Sequence, residues 1–466
     1  MSCMSTPLAN VDASWLRMDE PTNPMVVTGV LVLEAPVSVR RFRTLVQQRL
    51  LRFERFRHRI VRRLGRAGLP SWEPDPQFSL DHQLVVETLP APGDEVALQE
   101  LLGALATRPL PERRPPWRIH FVPHYQGGSA IVVRVHHCIG DGLALVHVLL
   151  SLADQPAALR MTGQIQTPEP SRWKSLREKV SAAVQLLPEG VDHLGALARL
   201  LLLPPDPPTR FKGRLGMTKR LLWSRAFRLE DFKSIGRATG STVNDVLMAA
   251  LAGALRRYLL EHGEVGRRLE IRGVVPVNLR PLDRAHELGN WFGLVFLQLP
   301  LGLESPQARL VEIRRRMGLL KKSPGAAAIF QLLWLMGLLP RPLFDVILDL
   351  FATKATAVVT NVIGPQEEIS LLGSRLRQAM FWVPCAGHLG LGISLLSYAG
   401  QVWVGIQSDA GLVPDPERIV AAFEDELAAL RTAGPARRIR GRKRVALRGT
   451  SRSAPTDRTG HPSAAT

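Results

Sequence analysis

Apolar residues recur along this chain with two different periods. Val26 to Glu34 (VVTGVLVLE) is dense in β-branched residues and predicts a strand. From Val39 to Phe53, Phe42, Leu45, Val46 and Leu50 fall three and four apart, the spacing of one helix face. A Pro-rich turn, PLPERRPPW, ends at Trp117. Two strand-like runs follow, Arg118 to Tyr125 and Ser129 to His137, with Gly127-Gly128 between them as a hairpin signal. Gly142 to Leu152 reads as a helix. Further on, Ser241-Thr242 offers an N-cap for a helix to Leu260, with Val243, Val246, Leu247, Leu251, Leu255 and Leu259 on one stripe. Strands are predicted at Ile271 to Asn278, Leu294 to Leu299, Ala357 to Ile363, Leu391 to Tyr398 and Val402 to Gln407, and a closing helix at Pro414 to Leu430. Strands interleaved with helices in this way mark an α/β protein.

The pattern weakens between Asp154 and Arg214, where Pro156, Pro168, Pro170, Pro188 and the cluster PPDPP at 204–208 interrupt short apolar pieces. This stretch reads as a long crossover linker. It divides the chain into an N-terminal domain (1–153), the linker (154–214), a C-terminal domain (215–433) and a basic tail (434–466) expected to be disordered. No segment clearly spans a membrane. The best candidate, GAAAIFQLLWLMGLLP at Gly325 to Pro340, falls short of the ~20 apolar residues a span requires. It is followed by Arg341, Asp345 and Asp349, and reads as a core helix, an apolar cavity wall or an interfacial helix.

An apolar fraction of 45% and a charged fraction of 22% in 466 residues allow most of the chain to bury a core. The formal net charge of +19 adds a requirement for an anionic partner: nucleic acid, an anionic membrane face or a phosphorylated ligand. The tail from Ala436 carries nine Lys and Arg against one Asp, and Arg40 to Arg66 holds eleven Arg against one Glu. Neither stretch shows a zinc-finger spacing or another recognised nucleic-acid motif, which argues against nucleic acid. The three cysteines, Cys3, Cys138 and Cys385, lie far apart without a CxxC pair. A disulfide framework or zinc site is therefore not expected, and a reducing compartment is. The N-terminus lacks the charged-then-apolar pattern of a signal peptide. The expected location is cytoplasmic, peripheral where a basic stretch meets an anionic membrane face.

The stretch with chemistry in it is His136-His137-Cys138-Ile139-Gly140-Asp141-Gly142, at the junction of an apolar strand and a helix. Successive side chains of a strand face opposite sides, so one histidine is placed for catalysis and the other for structure. A histidine can take a proton from a hydroxyl near neutral pH. Asp141 either contacts the histidine or holds the turn through an ion pair, and Gly140 and Gly142 permit a tight backbone. Spacing alone leaves other readings open: Asp141 as a helix cap, buried hydrogen-bonded histidines, or a metal site lacking an evident third ligand.

HHCIGDG is similar to the HHxxxDG motif of the coenzyme A-dependent acyltransferase superfamily. Asp12-Ala13-Ser14-Trp15, Asn23-Pro24-Met25, Pro116-Trp117, Thr242-Val243-Asn244-Asp245, Pro276-Val277-Asn278-Leu279-Arg280, Gly289-Asn290 and Thr360-Asn361-Val362-Ile363-Gly364-Pro365 follow in the order of the bacterial wax ester synthase/diacylglycerol acyltransferase family. The chain resembles that family over residues 5 to 432, with Pro for Leu at Pro116 and Thr for Ser at Thr360. The resemblance implies two chloramphenicol-acetyltransferase-like α/β domains with mixed sheets and a channel between them. It implies His137 as the general base, with His136 and Asp141 completing the catalytic motif. Gly142, Asn244, Asp245, Asn361 and Arg280 would support the substrate or the structure, Arg280 as an ion-pair partner for Asp141. It further implies acyl-CoA as a substrate with a long-chain alcohol or a diacylglycerol as acceptor. No metal, cofactor or covalent acyl-enzyme is expected. The anionic partners are then coenzyme A and a membrane or lipid-droplet surface, not nucleic acid. Two other readings share the motif: an acyltransferase using a carrier-protein thioester with a polyketide or peptide acceptor, and a non-catalytic scaffold on a lipid surface.

Overall fold

The computed structural model describes residues 5–62, 69–155, 202–280, 284, 287–321, 323, 325–385 and 387–432. The basic tail and nearly all of the Pro-rich crossover lie outside the described residues. Two mixed sheets dominate. The first has six strands in the order Ser370–Leu371, Ser374–Trp382, Val26–Leu33, Gly128–His136, Trp117–Tyr125 and Leu84–Val86. The second has seven strands, six of them in the order Phe292–Leu299, Ile271–Asn278, Ala357–Ile363, Leu391–Tyr398, Gln401–Asp409 and Lys219–Trp223. The short strand Phe227–Arg228 joins Gln401–Asp409 beside that path. Three short strands near the N-terminus form a separate small sheet.

Val26–Leu33 buries Val26, Thr28, Val30 and Val32, the period-two alternation expected of a strand with one face on a core. Gly128–His136 is buried along almost its whole length because it is central, paired on both sides. The helix Val243–Glu261 is buried nearly all round. Its start is a capping box, with Thr242 Oγ1 accepting from Asp245 N–H and the Asp245 carboxylate accepting from Thr242 N–H. Its Gly253 lets the Glu426 side chain of the helix Glu417–Thr432 lie against the backbone. A Cβ there would fall 2.2 Å from Glu426 Oε2.

The predicted elements are present with shifted ends: strands begin at Phe292 and Gln401, and the last helix is Glu417–Thr432. The strand Ser374–Trp382, second in the sheet, has no clear sequence signal. A bulge between Leu376 and Gln378 breaks its alternation. This strand comes from the second half of the chain and pairs with Val26–Leu33, so the first sheet is not made by residues 1–153 alone. The crossover's described end is docked and not free. Asp206 is buried, accepts from Arg272 N–H at 2.7 Å and pairs with the Arg272 guanidinium at 3.2 Å. Leu371 and Leu391 are members of the two sheet cores.

Candidate active site

The central strand of the first sheet ends at His136, and the chain passes through His137–Asp141 into the helix Gly142–Leu152. The two histidines meet different neighbours. His136 stays opposite Val26 in the ladder. Its Nδ1 accepts Cys138 N–H at 3.1 Å, which leaves a ring proton on Nε2, 3.7 Å from Asp19. This residue shapes the turn.

His137 is buried against two aromatic rings that also touch each other. Trp15 stacks on it with centroids 4.3 Å apart and planes 14° from parallel, and Phe292 leans on it at 5.6 Å. Its Nδ1 lies 2.9 Å from Asn290 Oδ1. The orientation of that amide is settled by its other contacts. Asn290 Nδ2 lies 2.8 Å from Asp12 Oδ1 and 2.8 Å from the His137 carbonyl, both of which only accept. Nδ2 must therefore face them, and Oδ1 must face the imidazole. His137 Nδ1 donates, and the lone pair sits on Nε2. Burial drives this imidazole down to about 4, against the opposing effects of hydrogen bonding and of Asp141, so the ring is neutral at physiological pH.

Behind Asn290 the chain of contacts continues. Asp12 Oδ1 also accepts from Asn290 N–H at 3.1 Å, and Asp12 Oδ2 accepts from Arg55 Nη1 at 3.0 Å. Arg55 Nη1 reaches the carbonyl of Ile139 at 2.8 Å, which ties the group back to the motif's own turn. Burial pushes the Asp12 carboxyl up, opposed by Arg55 and Asn290.

Asp141 serves a second network. One oxygen accepts from Ala144 N–H at 2.9 Å, capping the helix. The other accepts from Arg280 Nη2 at 2.8 Å and from Trp291 N–H at 2.9 Å. Arg280 Nη2 also holds the Gly289 carbonyl at 2.6 Å, and Asp141 N–H donates to that same carbonyl at 3.1 Å. Asp141 thus both caps the helix and pairs with Arg280. Gly289 has φ +118, a conformation that disfavours a side chain. A Cβ there would stand 3.6 Å from Asp12 Oδ2.

Asn244 and Asn361 are brought together, with Asn361 Nδ2 donating to Asn244 Oδ1 at 3.0 Å. A Cβ added at Gly142 would lie 3.8 Å from the side chain of Val362, the next residue in that strand, so this pair is near the start of the motif's helix. Asp245 is used in its capping box. Among the described residues no group of three or more His, Cys, Asp or Glu is placed to hold a metal ion, and Cys138 and Cys385 are free thiols.

Trp15, Arg55, Phe292, Asp12 and Asn290 were given no role by sequence. Asp12, Trp15 and Asn290 sit in family-like segments, which was the available signal. Arg55 lay unremarked in the basic stretch. The described part of that stretch is partly structural: Arg55 is committed to Asp12, and Arg49 reaches the carbonyls of Leu152 and Ala153 at the end of the motif's helix.

Residues 8–247 match the family model of the wax ester synthase/diacylglycerol acyltransferase catalytic domain, and residues 288–431 match that of the WS/DGAT C-terminal domain. A probable diacylglycerol O-acyltransferase of Mycobacterium tuberculosis, tgs1, is 26% identical over 94% of this chain and 98% of its own. Another M. tuberculosis protein, the putative diacylglycerol O-acyltransferase Rv1760, is 28% identical over 91% of this chain and 89% of its own. Among solved structures, the wax ester synthase/diacylglycerol acyltransferase from Marinobacter aquaeolei VT8 superimposes with a TM-score of 0.66 at 22% identity, over 92% of this chain and 99% of that one. The trichothecene 15-O-acetyltransferase TRI3 from Fusarium sporotrichioides gives 0.64 at 12% identity, over 91% and 95%. The two-domain α/β fold with mixed sheets is the one these acyltransferases share.

Proposed function

The chain belongs to the wax ester synthase/diacylglycerol acyltransferase family and is an acyltransferase, and we propose that it moves a fatty acyl group from acyl-CoA to the hydroxyl of a diacylglycerol or a long-chain alcohol, with His137 as general base. The observation that carries this reading is the fixed tautomer: Asn290 holds the proton on Nδ1, so Nε2 offers its lone pair. The activities named for the relatives supply the acceptor class.

In this reading Nε2 removes the acceptor's hydroxyl proton while the oxygen bonds to the thioester carbonyl carbon. The carbonyl electron pair moves onto oxygen. As the tetrahedral centre collapses, the C–S bond breaks and the thiolate of coenzyme A takes the proton back from the imidazolium. Ester and free thiol are the products, and no covalent acyl-enzyme forms. A low imidazole pKa makes the transient imidazolium a strong acid, suited to protonating a thiolate whose own pKa is about 8.5. Trp15 and Phe292 cover the ring and limit water, the competing acceptor. Asn244 is the candidate donor to the oxyanion. Its Oδ1 is occupied by Asn361, so its NH2 is the end that remains to donate. The basic residues between 437 and 452 would add attraction to anionic lipid.

The test is purified protein with palmitoyl-CoA, offered hexadecanol and a diacylglycerol separately, with thiol release and lipid product both followed. Product with either acceptor, lost in His137→Ala, is expected. Full activity in His137→Ala would remove the assignment, and an acyl adduct on the protein during turnover would remove direct transfer.

A further inference from the structure

Six of the thirteen exposed large apolar side chains among the described residues fall within one short segment: Trp334, Leu335, Leu338, Leu343, Val346 and Leu350. The segment spans two consecutive helices, Gly325–Met336 and Arg341–Ala352, joined by a tight turn. Leu343, Val346 and Leu350 are spaced three and four apart, so they form one outward stripe. Val346 is 64% exposed. Single exposed apolar residues are ordinary, but a contiguous set is not.

The inner side of the same hairpin is part of the site. Ile329, Phe330, Leu333, Met336 and Phe344 share one buried cluster with Trp15 and Phe292, the two rings that enclose His137. The hairpin is fastened to the first helix, Asn10–Arg17. Ser14 Oγ donates to the Leu333 carbonyl at 2.6 Å, and Arg17 Nη1 donates to the Met336 carbonyl at 3.2 Å. One layer of helix therefore has the aromatic cage on one side and an uncovered apolar stripe on the other.

The charge on the hairpin selects among possible partners. The whole chain is +19, yet the hairpin carries one cation, Arg341, against Asp345 and Asp349, a formal −1. Arg341 is also spent internally, on Asp345 at 2.8 Å and on Glu20 at 2.5 Å. The hairpin itself offers an anionic bilayer a single cation, already paired with two carboxylates. A lipid surface without net charge meets a matching apolar face.

We infer that this helical hairpin docks the enzyme onto a lipid surface of zero net charge, the outer stripe entering the lipid while the inner face stays packed around the His137 cage. The inference rests on the lipid-acceptor reading for its purpose, but it is tested without turnover. The full-length protein would be partitioned onto triolein emulsions coated with phosphatidylcholine, and onto liposomes with and without phosphatidylglycerol, at low and high salt. Leu343→Asp with Val346→Asp is expected to weaken emulsion binding by about tenfold per substitution. Val311→Asp, at an equally exposed valine on another helix, should leave it unchanged. Wild-type binding should persist at high salt, because apolar insertion is not screened. Thiol release with a water-soluble alcohol should be the same in the double variant as in wild type.

Unchanged emulsion binding in the double variant would overturn the proposal. So would binding that requires phosphatidylglycerol and vanishes in salt, which would point to the basic segments. A wild-type dimer that the two substitutions convert to monomer would assign the stripe to a second copy of the chain and also overturn it. Failure of wild type to acylate any alcohol would sink the catalytic reading while leaving the partition result standing.

Discussion

The five-residue turn between strand and helix, His137–Asp141, feeds two networks that look alike and do different work. On one side His137, Asn290, Asp12 and Arg55 form a chain that ends on a single proton position. On the other, Asp141, Arg280, Gly289 and Trp291 form a knot of backbone and side-chain bonds between the two halves of the chain. Both are buried and both pair a carboxylate with an arginine. In the first, a neutral amide stands between the carboxylate and the His137 ring, and burial keeps the imidazole a weak base. In the second, the carboxylate sits at the centre, accepting from a guanidinium and from two backbone N–H groups. A motif of a few residues can thus fix a proton and a domain register at once, provided its ends face different partners.

The largest effect separating the two should come from His137→Ala. Its transfer rate is expected to fall by about 10²–10⁴-fold while the melting temperature stays near wild type, as measured by thiol release and thermal unfolding. Arg280→Ala should do the reverse at first. It strands the buried Asp141 carboxylate and is expected to cost about 3–5 kcal/mol in chemical denaturation, with activity lost as the fold is lost. Asn290→Ala should lower kcat by about a hundredfold with little change in KM, because the ring stays but its tautomer and aim are freed. Asn290→Asp sharpens the same point. A carboxylate against Nδ1 raises the imidazole from its value of about 4, so the acid limb of the kcat/KM profile should move upward from that value.

The wild-type pH profile is a further discriminator. A depressed histidine is neutral above about 4, so activity should persist well below the ordinary histidine range near 6.5. The linked stability runs the same way. The unfolded chain protonates His137 first, so this residue's share of folding stability is complete above about 6.5 and is lost as pH falls toward 4. The smallest expected effect belongs to neither network. Asp245→Ala removes half of a capping box and should cost about 1 kcal/mol, with kcat reduced far less than in Asn244→Ala.

Much of this could be read in the chain itself. The alternation of Val26–Leu33, the continuous apolar run of the central strand Gly128–His136 and the helical spacing of apolar residues in Val243–Glu261 follow from the burial of regular elements, a local rule that sequence spacing records. The strand-to-helix site of HHCIGDG, and Asp141 with Arg280 as its partner, were legible for the same reason together with the family resemblance. Ser374–Trp382 was not, because its bulge breaks the local period and its partner, Val26–Leu33, lies some 340 residues away in sequence.

By itself the sequence determined which residue types stand at the turn, which elements flank it, and that the chain is an acyltransferase of this family. Only the tertiary structure decided which nitrogen of His137 is free, because that depends on Asn290 and Asp12, 153 residues downstream and at the far N-terminus. Only it decided which face of the hairpin at 325–352 is left uncovered. Both outcomes are properties of contacts between distant segments, and a hydrogen bond or a buried face acquires its partner only when the chain has closed.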